Sequence, residues 1–275
     1  MTDDPRGEAV KRLSAGGIEN ARLDARLLWE HAEKTSLAER GNAADVFDRL
    51  VDRRLAREPL AYIVGHKEFW SLEFAVGPGV LVPRPETEIL IEELCKSFPD
   101  RGARLSILDL GTGSGCLLVA ALREYANAHG VGVEASSEAL GWAKRNIAAH
   151  RLEDRANLIE SGWLDEASPG FDVLLCNPPY VASGDIAALE PEVRLFEPRS
   201  ALDGGVDGLD AYRLLAPRIG RLLSSGGRAY LEIGAGQSEP VGQILRTNHL
   251  RIVSLAVDLA GIPRCFVLKR DVEAE

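Results

Sequence analysis

Short apolar runs alternate with segments of helical spacing through the middle of the chain. Strands are predicted at 105–110, 130–134, 156–160 and 171–176, with helices at 116–126 and 137–150 between the first of them. Strand–helix–strand repeats of this kind build a mostly parallel sheet that is covered on both faces. Further strands are predicted at 227–233, 251–258 and 264–269. The last two are close enough in sequence to pair antiparallel, so the pattern predicts a doubly wound, mostly parallel, seven-stranded α/β sheet.

The first sixty residues have a different texture. Helical spacing predicts several short helices, most clearly over 21–33 and 43–57, and no strand pattern is present. From Lys67, KEFWSLEFAVGPGVLVPRPETE alternates apolar and polar residues and contains the turn Gly77-Pro78-Gly79, which suggests a β-hairpin linker. The predicted division is a helical domain at 1–65, a linker at 66–84 and an α/β domain at 85–275.

Composition limits the partners. The chain has 275 residues, 45% of them hydrophobic, and 32 basic residues against 42 acidic ones give a net charge of −10. Such a field repels duplex DNA. The four cysteines are far apart and form no metal-binding pattern, so no metal is expected. Because no apolar run reaches the ~18 residues of a membrane span and the start is not signal-like, we expect a cytoplasmic protein without a membrane partner.

A glycine-rich loop follows the first predicted strand of the α/β domain. Gly111-Thr112-Gly113-Ser114-Gly115 opens the next helix, and Glu134 ends the following strand about twenty residues on. Glycines permit positive φ and close approach of a ligand, and a carboxylate at the second strand end can accept ribose hydroxyls, so the pair predicts a nucleoside ligand.

Two nucleoside cofactors compete for this loop. A nicotinamide dinucleotide site would place a third small residue at Cys116, so the glycine spacing leans away from a dehydrogenase. Asp109, directly before the loop, would repel a pyrophosphate but suits a cofactor with an ammonium group. S-adenosylmethionine carries such a group.

The strand FDVLLC ends on Asn177-Pro178-Pro179-Tyr180. The prolines stiffen the loop and stop the strand ladder. The side-chain carbonyl of Asn177 and the backbone carbonyl of Pro178 are predicted to accept both hydrogens of a planar –NH2 group, and Tyr180 offers a face on which the substrate can stack. Oriented acceptors would direct the nitrogen lone pair at a methyl donor.

Together these motifs resemble the bacterial protein-(glutamine-N5) methyltransferases that modify class I peptide-chain release factors. The resemblance runs from about Leu60 to Arg270 and includes FWSLEFAVGPGVLVPRPETE, DLGTGSG, NPPY, EPRSALDGGVDGL and DLAGIPR, in the family's order. It implies a class I S-adenosylmethionine-dependent methyltransferase with a Rossmann-like sheet, S-adenosyl-L-homocysteine as product, and the Gly-Gly-Gln loop of a release factor as partner. We expect the protein to act as a monomer.

The resemblance also implies roles for single residues. Gly111, Thr112, Gly113, Ser114 and Gly115 would contact the methionine and ribose portions of the cofactor, and Glu134 the ribose. Asn177, Pro178, Pro179 and Tyr180 would bind the glutamine amide, with Asn177 also beside the cofactor. Trp163 would stack on the adenine. Gly162 stands where the family often has an acidic residue, and Asp165 is the candidate substitute.

Two flanking segments complete the predicted site. The stretch Pro83-Arg84-Pro85 would form a wall beside the methyl donor, with Arg84 or Glu86 contacting substrate backbone. The loop from Glu197 to Leu209 would line the substrate opening.

Three other functions use parts of this pattern. Adenine-N6 methylation of DNA would use the same Asn-Pro-Pro-Tyr loop but needs a basic region to hold the duplex, and neither the net charge nor the near-neutral helical segment supplies one. A nucleotide-binding adaptor would need no pair of fixed acceptors. A nicotinamide-dependent oxidoreductase is disfavoured by the glycine spacing.

Overall fold

A computed structural model describes residues 5–39, 41–162 and 169–271 of the chain. It divides into two compact units. The smaller contains Met1–His66, Val76–Pro78 and Leu189–Glu197, and the larger contains Lys67–Ala75, Gly79–Ala188 and Pro198–Glu275. The chain therefore leaves the larger unit after Ala188 and returns to it at Pro198.

The smaller unit is helical. Its helices are α1 (Pro5–Ala15), α2 (Ala21–Glu39), α3 (Ala43–Leu55) and α4 (Leu60–Val64), followed later in the chain by α8 (Pro191–Phe196). Asn42 caps α3 by accepting a hydrogen bond from the Ala44 N–H at 3.0 Å. Leu13, Leu28 and Val51 are fully buried in a common core, so packing of apolar faces holds these short helices together. The predicted helices at 21–33 and 43–57 are both present.

The larger unit begins with a hairpin of β1 (His66–Phe69) and β2 (Leu72–Ala75). The predicted hairpin is present: the chain reverses at Trp70 and Ser71, whose φ angles are 53° and 57°, and the predicted turn at Gly77-Pro78-Gly79 follows β2. A two-residue hairpin turn of type I′ needs positive φ at both positions. Trp70 holds this conformation because its backbone N–H donates to Glu88 and its indole N–H to Glu124, each at 2.7 Å.

The remaining elements of the larger unit form the predicted α/β sheet. In chain order they are α5 (Glu88–Ser97), β3 (Ser106–Leu110), α6 (Cys116–Glu124), β4 (His129–Glu134), α7 (Ser137–Ala149), β5 (Ala156–Glu160), β6 (Phe171–Cys176), α9 (Asp210–Leu222), β7 (Leu223–Glu232), α10 (Ser238–Thr247), β8 (Leu250–Val257) and β9 (Pro263–Arg270). Within the described residues, the sheet has seven strands in the order β5-β4-β3-β6-β7-β9-β8. Only the pairs that involve β9 are antiparallel, which confirms the prediction.

Both faces of the sheet are buried. Ile107 and Val173 face one core together with α5 and α6, and Leu108 and Leu174 face the other together with α9 and α10. Successive side chains along each strand thus enter two different cores, as a doubly wound sheet requires. Strand order reverses between β3 and β6, so the carboxyl ends of these two strands form the edge where such sheets bind ligands.

Candidate active site

A cavity of about 350 Å³ lies at the carboxyl ends of β3, β4 and β6. Small-molecule sites usually range from about 300 to 1,000 Å³, so the cavity can hold a nucleoside-sized ligand. All of its lining residues belong to the larger unit. Those from predicted site motifs are Gly111, Thr112, Gly113, Ser114, Glu134, Asn177 and Pro179. Gly115, Pro178 and Tyr180 are not among the lining residues.

The glycine loop after β3 uses the conformational freedom of its glycines. Gly111, Gly113 and Gly115 have φ angles of 70°, 55° and 80°. A methyl group added at Gly113 would meet nothing nearer than 3.9 Å, so the absence of a side chain here leaves space for a ligand beside the loop. One added at Gly115 would lie 3.4 Å from Ala143 on α7, which means that Gly115 serves the packing of helices behind the loop. Positive φ at these positions disfavours side chains in any case.

Glu134 is fixed at the end of β4 by three backbone N–H groups. Its Oε1 accepts from Ala135 and Ser136 at 2.9 and 3.0 Å, and its Oε2 accepts from Gly113 at 3.0 Å. The carboxylate thus ties the glycine loop to the next strand. A carboxylate has about four acceptor positions, so a position remains for a ribose hydroxyl.

Asp109 supports the loop from behind. It is fully buried and is not a lining residue; its Oδ2 accepts from the Thr112 hydroxyl at 2.6 Å and from the Leu118 N–H at 3.2 Å. Burial is the main cause that raises the pKa of Asp109, to about 7, and the charge of Glu134 adds to the rise. The position of Asp109 therefore gives it a structural contact to the loop, and its Oδ1 has no hydrogen-bond partner among the described residues.

Asn177, the first residue after β6, is oriented by a residue that sequence patterns did not single out. Its Nδ2 donates to Oγ1 of Thr87 at 3.2 Å, in the 3-10 turn Pro85–Thr87. Thr87 is 2% exposed and lines the same cavity. With its amino end held by Thr87, the planar amide of Asn177 has its carbonyl oxygen on the opposite arm as a hydrogen-bond acceptor.

The rest of the Asn-Pro-Pro-Tyr loop is held mainly by backbone contacts. Nε2 of Gln237 donates to the backbone carbonyls of Tyr180 at 2.9 Å and Gly208 at 3.2 Å. A methyl group added at Gly204 would lie 2.8 Å from the Pro179 carbonyl, and one added at Gly208 would clash with the Tyr180 carbonyl. Glycines in DGGVDGL therefore let this segment pack directly on the loop. The Tyr180 hydroxyl reaches inward, to Oε1 of the buried Glu232 at 3.4 Å.

Asn146 joins the hairpin to the glycine loop. This side chain on α7 is 1% exposed; it accepts from the Ala75 N–H at 2.7 Å and donates to the carbonyls of Ala75 and Ser114 at 3.0 and 2.8 Å. A single amide thereby satisfies three backbone groups next to the cavity wall. An asparagine in the middle of an amphipathic helix was the one signal in the sequence, and nothing there indicated its partners.

The flanking segments supply further walls. Pro83 and Arg84, which precede the glycine loop in sequence, line the cavity. Pro198, Ser200 and Ala201, which follow α8, line it as well. Pro85 and Glu86 are not lining residues. The predicted adenine contacts at Trp163 and Asp165 lie outside the described residues.

Comparison with known proteins identifies the family. Residues 6–65 match the model of the PrmC N-terminal domain, and residues 85–193 match that of the methyltransferase small domain. The release factor glutamine methyltransferase of Caulobacter vibrioides is 44% identical over 262 residues, which cover 92% of this chain and 90% of the relative. That of Rhodospirillum rubrum is 41% identical over 268 residues, covering 94% and 82%.

The chain belongs to the release factor glutamine methyltransferase family. The resemblance read from the sequence motifs is thereby confirmed, and so is the assignment of the protein as a methyltransferase of an S-adenosylmethionine-dependent family. The family match extends over the helical segment, which the sequence motifs left largely uncovered.

Solved structures of other methyltransferases share the fold of this family member. A methyltransferase from Pyrococcus furiosus has a TM-score of 0.53 at 16% identity, covering 79% of this chain and 95% of that one. A SAM-dependent methyltransferase from Agrobacterium tumefaciens has a TM-score of 0.50 at 17% identity, covering 75% and 69%. At these identities the likeness concerns the fold, which supports the predicted class I methyltransferase sheet.

Among the described residues of this family member, no helix is long and apolar enough to cross a membrane. Within the same part of the chain, no group of three or more His, Cys, Asp or Glu side chains is arranged to hold a metal ion.

Proposed function

We propose that the protein transfers a methyl group from S-adenosylmethionine to the side-chain amide nitrogen, N5, of the glutamine in the Gly-Gly-Gln motif of class I release factors. The observation that carries this proposal is the Asn177–Thr87 hydrogen bond of 3.2 Å, which orients an amide acceptor on the same cavity as the glycine loop and Glu134. Membership of the family supports the choice of substrate.

The cavity residues fit the cofactor. Gly113 has no side chain, so a nucleoside can lie against its backbone, and Glu134 carries a fixed carboxylate that can accept a hydrogen bond from a ribose hydroxyl. When bound, S-adenosylmethionine supplies an electrophilic methyl carbon on a sulfonium. Gly111, Thr112 and Ser114 complete the same wall, and Gly115 contributes by allowing the helix behind the loop to approach. Trp163 is proposed to stack on the adenine.

The substrate amide is a weak nucleophile because its nitrogen lone pair is delocalised. We assign the Asn177 side-chain oxygen and the Pro178 backbone oxygen as the acceptors for its two N–H groups. Accepting both N–H bonds raises electron density on nitrogen and turns its lone pair toward the methyl carbon. Pro178 and Pro179 keep the acceptors rigid, and Tyr180 flanks the amide. The methylated nitrogen is positively charged and strongly acidic, so it loses its proton without a strong base.

A release factor is a better partner for this chain than DNA. The net charge of −10 opposes binding to a phosphate backbone. Within this proposal, the helical domain at 1–65 recognises the folded release factor, the hairpin segment at 66–84 links the domains, and the domain at 85–275 receives the Gly-Gly-Gln loop. The protein acts as a monomer in the cytoplasm.

A labelled-methyl assay tests the proposal. The purified protein is incubated with labelled S-adenosylmethionine and a class I release factor, and peptide mass spectrometry locates the added methyl group. We expect label on the glutamine of the Gly-Gly-Gln motif and none on a matched release factor with glutamate at that position. Duplex DNA and free glutamine serve as further controls. Label on DNA adenine alone would refute the proposal in favour of an adenine methyltransferase.

A further inference from the structure

Glu232 is a fully buried carboxyl group at the end of β7, next to the Asn-Pro-Pro-Tyr loop. Its Oε1 accepts a hydrogen bond from the Tyr180 hydroxyl at 3.4 Å, and its Oε2 has no hydrogen-bond partner in the part of the chain that the structure describes. Burial of a carboxyl group with an unpaired oxygen is costly, so its presence needs an explanation. The proposed mechanism does not use this group.

Thr87 connects Glu232 to Asn177. The Thr87 hydroxyl accepts a hydrogen bond from Nδ2 of Asn177. Cys176 pairs with Leu231 across β6 and β7, so Glu232, the next residue of β7, lies beside Asn177, and Thr87 lowers the pKa of the Glu232 carboxyl. A hydroxyl has one proton to donate. Because its oxygen already receives the Asn177 amide, that proton remains available to a nearby acceptor, and Oε2 of Glu232 is an acceptor without a partner among the described residues.

We propose that Glu232 is a positioning residue that determines which end of the Asn177 amide faces the substrate. An ionised carboxylate can only accept hydrogen bonds, so it accepts one from the Thr87 hydroxyl. Thr87 must then accept from Nδ2 of Asn177, and the Asn177 carbonyl oxygen is left for the substrate. The inference rests on the proposed function, in which that oxygen accepts an N–H of the glutamine amide.

The reverse polarity would block the reaction. A neutral group at position 232 that can donate would leave the Thr87 proton free to bind the Asn177 side-chain oxygen. The amide would then turn, and its –NH2 would face the –NH2 of the substrate. Two donors cannot form a hydrogen bond, so the nucleophile would lose one of its two acceptors.

Glu232 is suited to this role because it titrates near neutral pH. Burial raises its pKa to about 7; Glu86 adds to the rise, and Thr87, Arg264 and Tyr180 oppose it. The other titratable groups that sense its charge are hydroxyls and thiols whose own pKa values are raised by burial, so they stay neutral at pH 7; they are Cys116, Cys176, Tyr180, Tyr212 and Cys265. Methyl transfer should therefore decline as pH falls through about 7.

Four proteins test the inference: the wild type, Glu232→Gln, Thr87→Val and Thr87→Ser. We expect Glu232→Gln and Thr87→Val to lower kcat by roughly 100-fold, the effect of losing one oriented hydrogen bond in a transition state, while affinity for S-adenosylhomocysteine changes less than twofold. Thr87→Ser, which restores the hydroxyl, should recover most of the rate that Thr87→Val loses. The wild-type decline with a midpoint near pH 7 should be absent in Glu232→Gln. Equal rates and pH profiles for Glu232→Gln and wild type would overturn the inference.

A substrate-free measurement separates this inference from the proposed function. The side-chain amide of Asn177 is followed by 15N NMR and assigned by its absence in Asn177→Ala. We expect its resonances to shift in the wild type with a midpoint near pH 7, and to be insensitive to pH in this range in Glu232→Gln. A pH-independent wild-type resonance would contradict the role of Glu232. A titrating resonance in a protein that methylates no release factor would support the hydrogen-bond chain and refute the proposed substrate.

Discussion

Asn177 and Thr87 are ninety positions apart in sequence and are joined by a hydrogen bond of 3.2 Å between Nδ2 and Oγ1. The contact links the carboxyl end of β6 to the 3-10 turn before α5. It fixes the direction of an amide that would otherwise rotate between two nearly isosteric orientations. The polarity of the site is therefore set by a residue outside the Asn-Pro-Pro-Tyr motif.

Replacement of Asn177 by alanine should separate catalysis from cofactor binding. An oriented polar group aimed at a transition state contributes about 3 kcal/mol, so kcat for release factor methylation should fall by roughly two to three orders of magnitude. Affinity for S-adenosylhomocysteine, measured by calorimetry, should change little because the glycine loop and Glu134 remain. Wild-type turnover by Asn177→Ala would remove Asn177 from the mechanism.

Alanine at Gly113 should weaken cofactor binding and fold stability together. Gly113 has a φ of 55° and lines the cavity, so the new methyl group strains the backbone by about 1–2 kcal/mol and occupies the ligand's wall. Gly141 is a matched control because it lies in the middle of α7 with open space around its Cα. There, alanine should stabilise by about 0.5–1 kcal/mol. Thermal unfolding and calorimetric titration measure both effects; similar behaviour of the two variants would contradict the conformational role of Gly113.

The sequence was sufficient for the sheet because strands and helices reveal themselves by local periodicity. Ile107 and Leu108 alternate between two cores, and the strands at 156–160 and 171–176 have the predicted bounds. Turn chemistry was a weaker guide. The hairpin reverses at Trp70-Ser71 because side chains on α5 and α6 hold Trp70, and those contacts are distant in sequence.

The glycine loop, Glu134 and Asn177 were identifiable because each lies at the end of a predicted strand. The residues that hold them in place could not be identified from the sequence. Asn146, Gln237 and Glu232 form hydrogen bonds to Ala75, Gly208 and Tyr180, which are 71, 29 and 52 positions away, and no periodic pattern marks such pairs. Gly115 was predicted as a cofactor contact, and its placement against Ala143 depends on how α6 and α7 pack. Local patterns thus locate the reactive groups, and tertiary packing decides which way they point.

Alanine at Asn146 should loosen the glycine loop from behind. The change leaves the N–H and carbonyl of Ala75 and the carbonyl of Ser114 without their partner, and each buried unpaired group costs about 1–3 kcal/mol. We expect a clear drop in unfolding free energy and weaker cofactor binding. Asn127 is exposed and donates once, to the Gly102 carbonyl, so Asn127→Ala should cost less than about 0.5 kcal/mol. Equal losses in both variants would show that the Asn146 contacts contribute little.

Glu232 should make the unfolding free energy decrease as pH rises, whereas an ordinary ion-paired carboxyl makes it increase. Its pKa rises from 4.5 to about 7 on folding, so between these values the folded state holds a proton that the unfolded state has released. Unfolding free energy from this site therefore falls as pH rises through that window, by about 3 kcal/mol in total. Glu232→Gln should lack this loss, and its stability relative to wild type should increase from pH 4.5 to 8 in urea unfolding. A constant difference across this range would contradict the raised pKa.

Arg54 should be the most sensitive ionic residue in the helical unit. Its Nε lies 2.7 Å from Asp24 on α2 and its Nη2 lies 2.8 Å from Glu192 on α8, and the three side chains are only 10%, 6% and 17% exposed. Arg54→Met would leave the poorly solvated Asp24 carboxylate without its cation, which typically costs 3–5 kcal/mol, whereas Glu192 keeps Arg57 at 2.8 Å; hydrogen exchange should therefore accelerate in α2 and α3. Arg12 is the control: it pairs with Asp48 and Asp52, which are 70% and 68% exposed, and Arg12→Met should change exchange only slightly. Unchanged exchange in α2 and α3 would show that the Arg54–Asp24 pair contributes little to the stability of this unit.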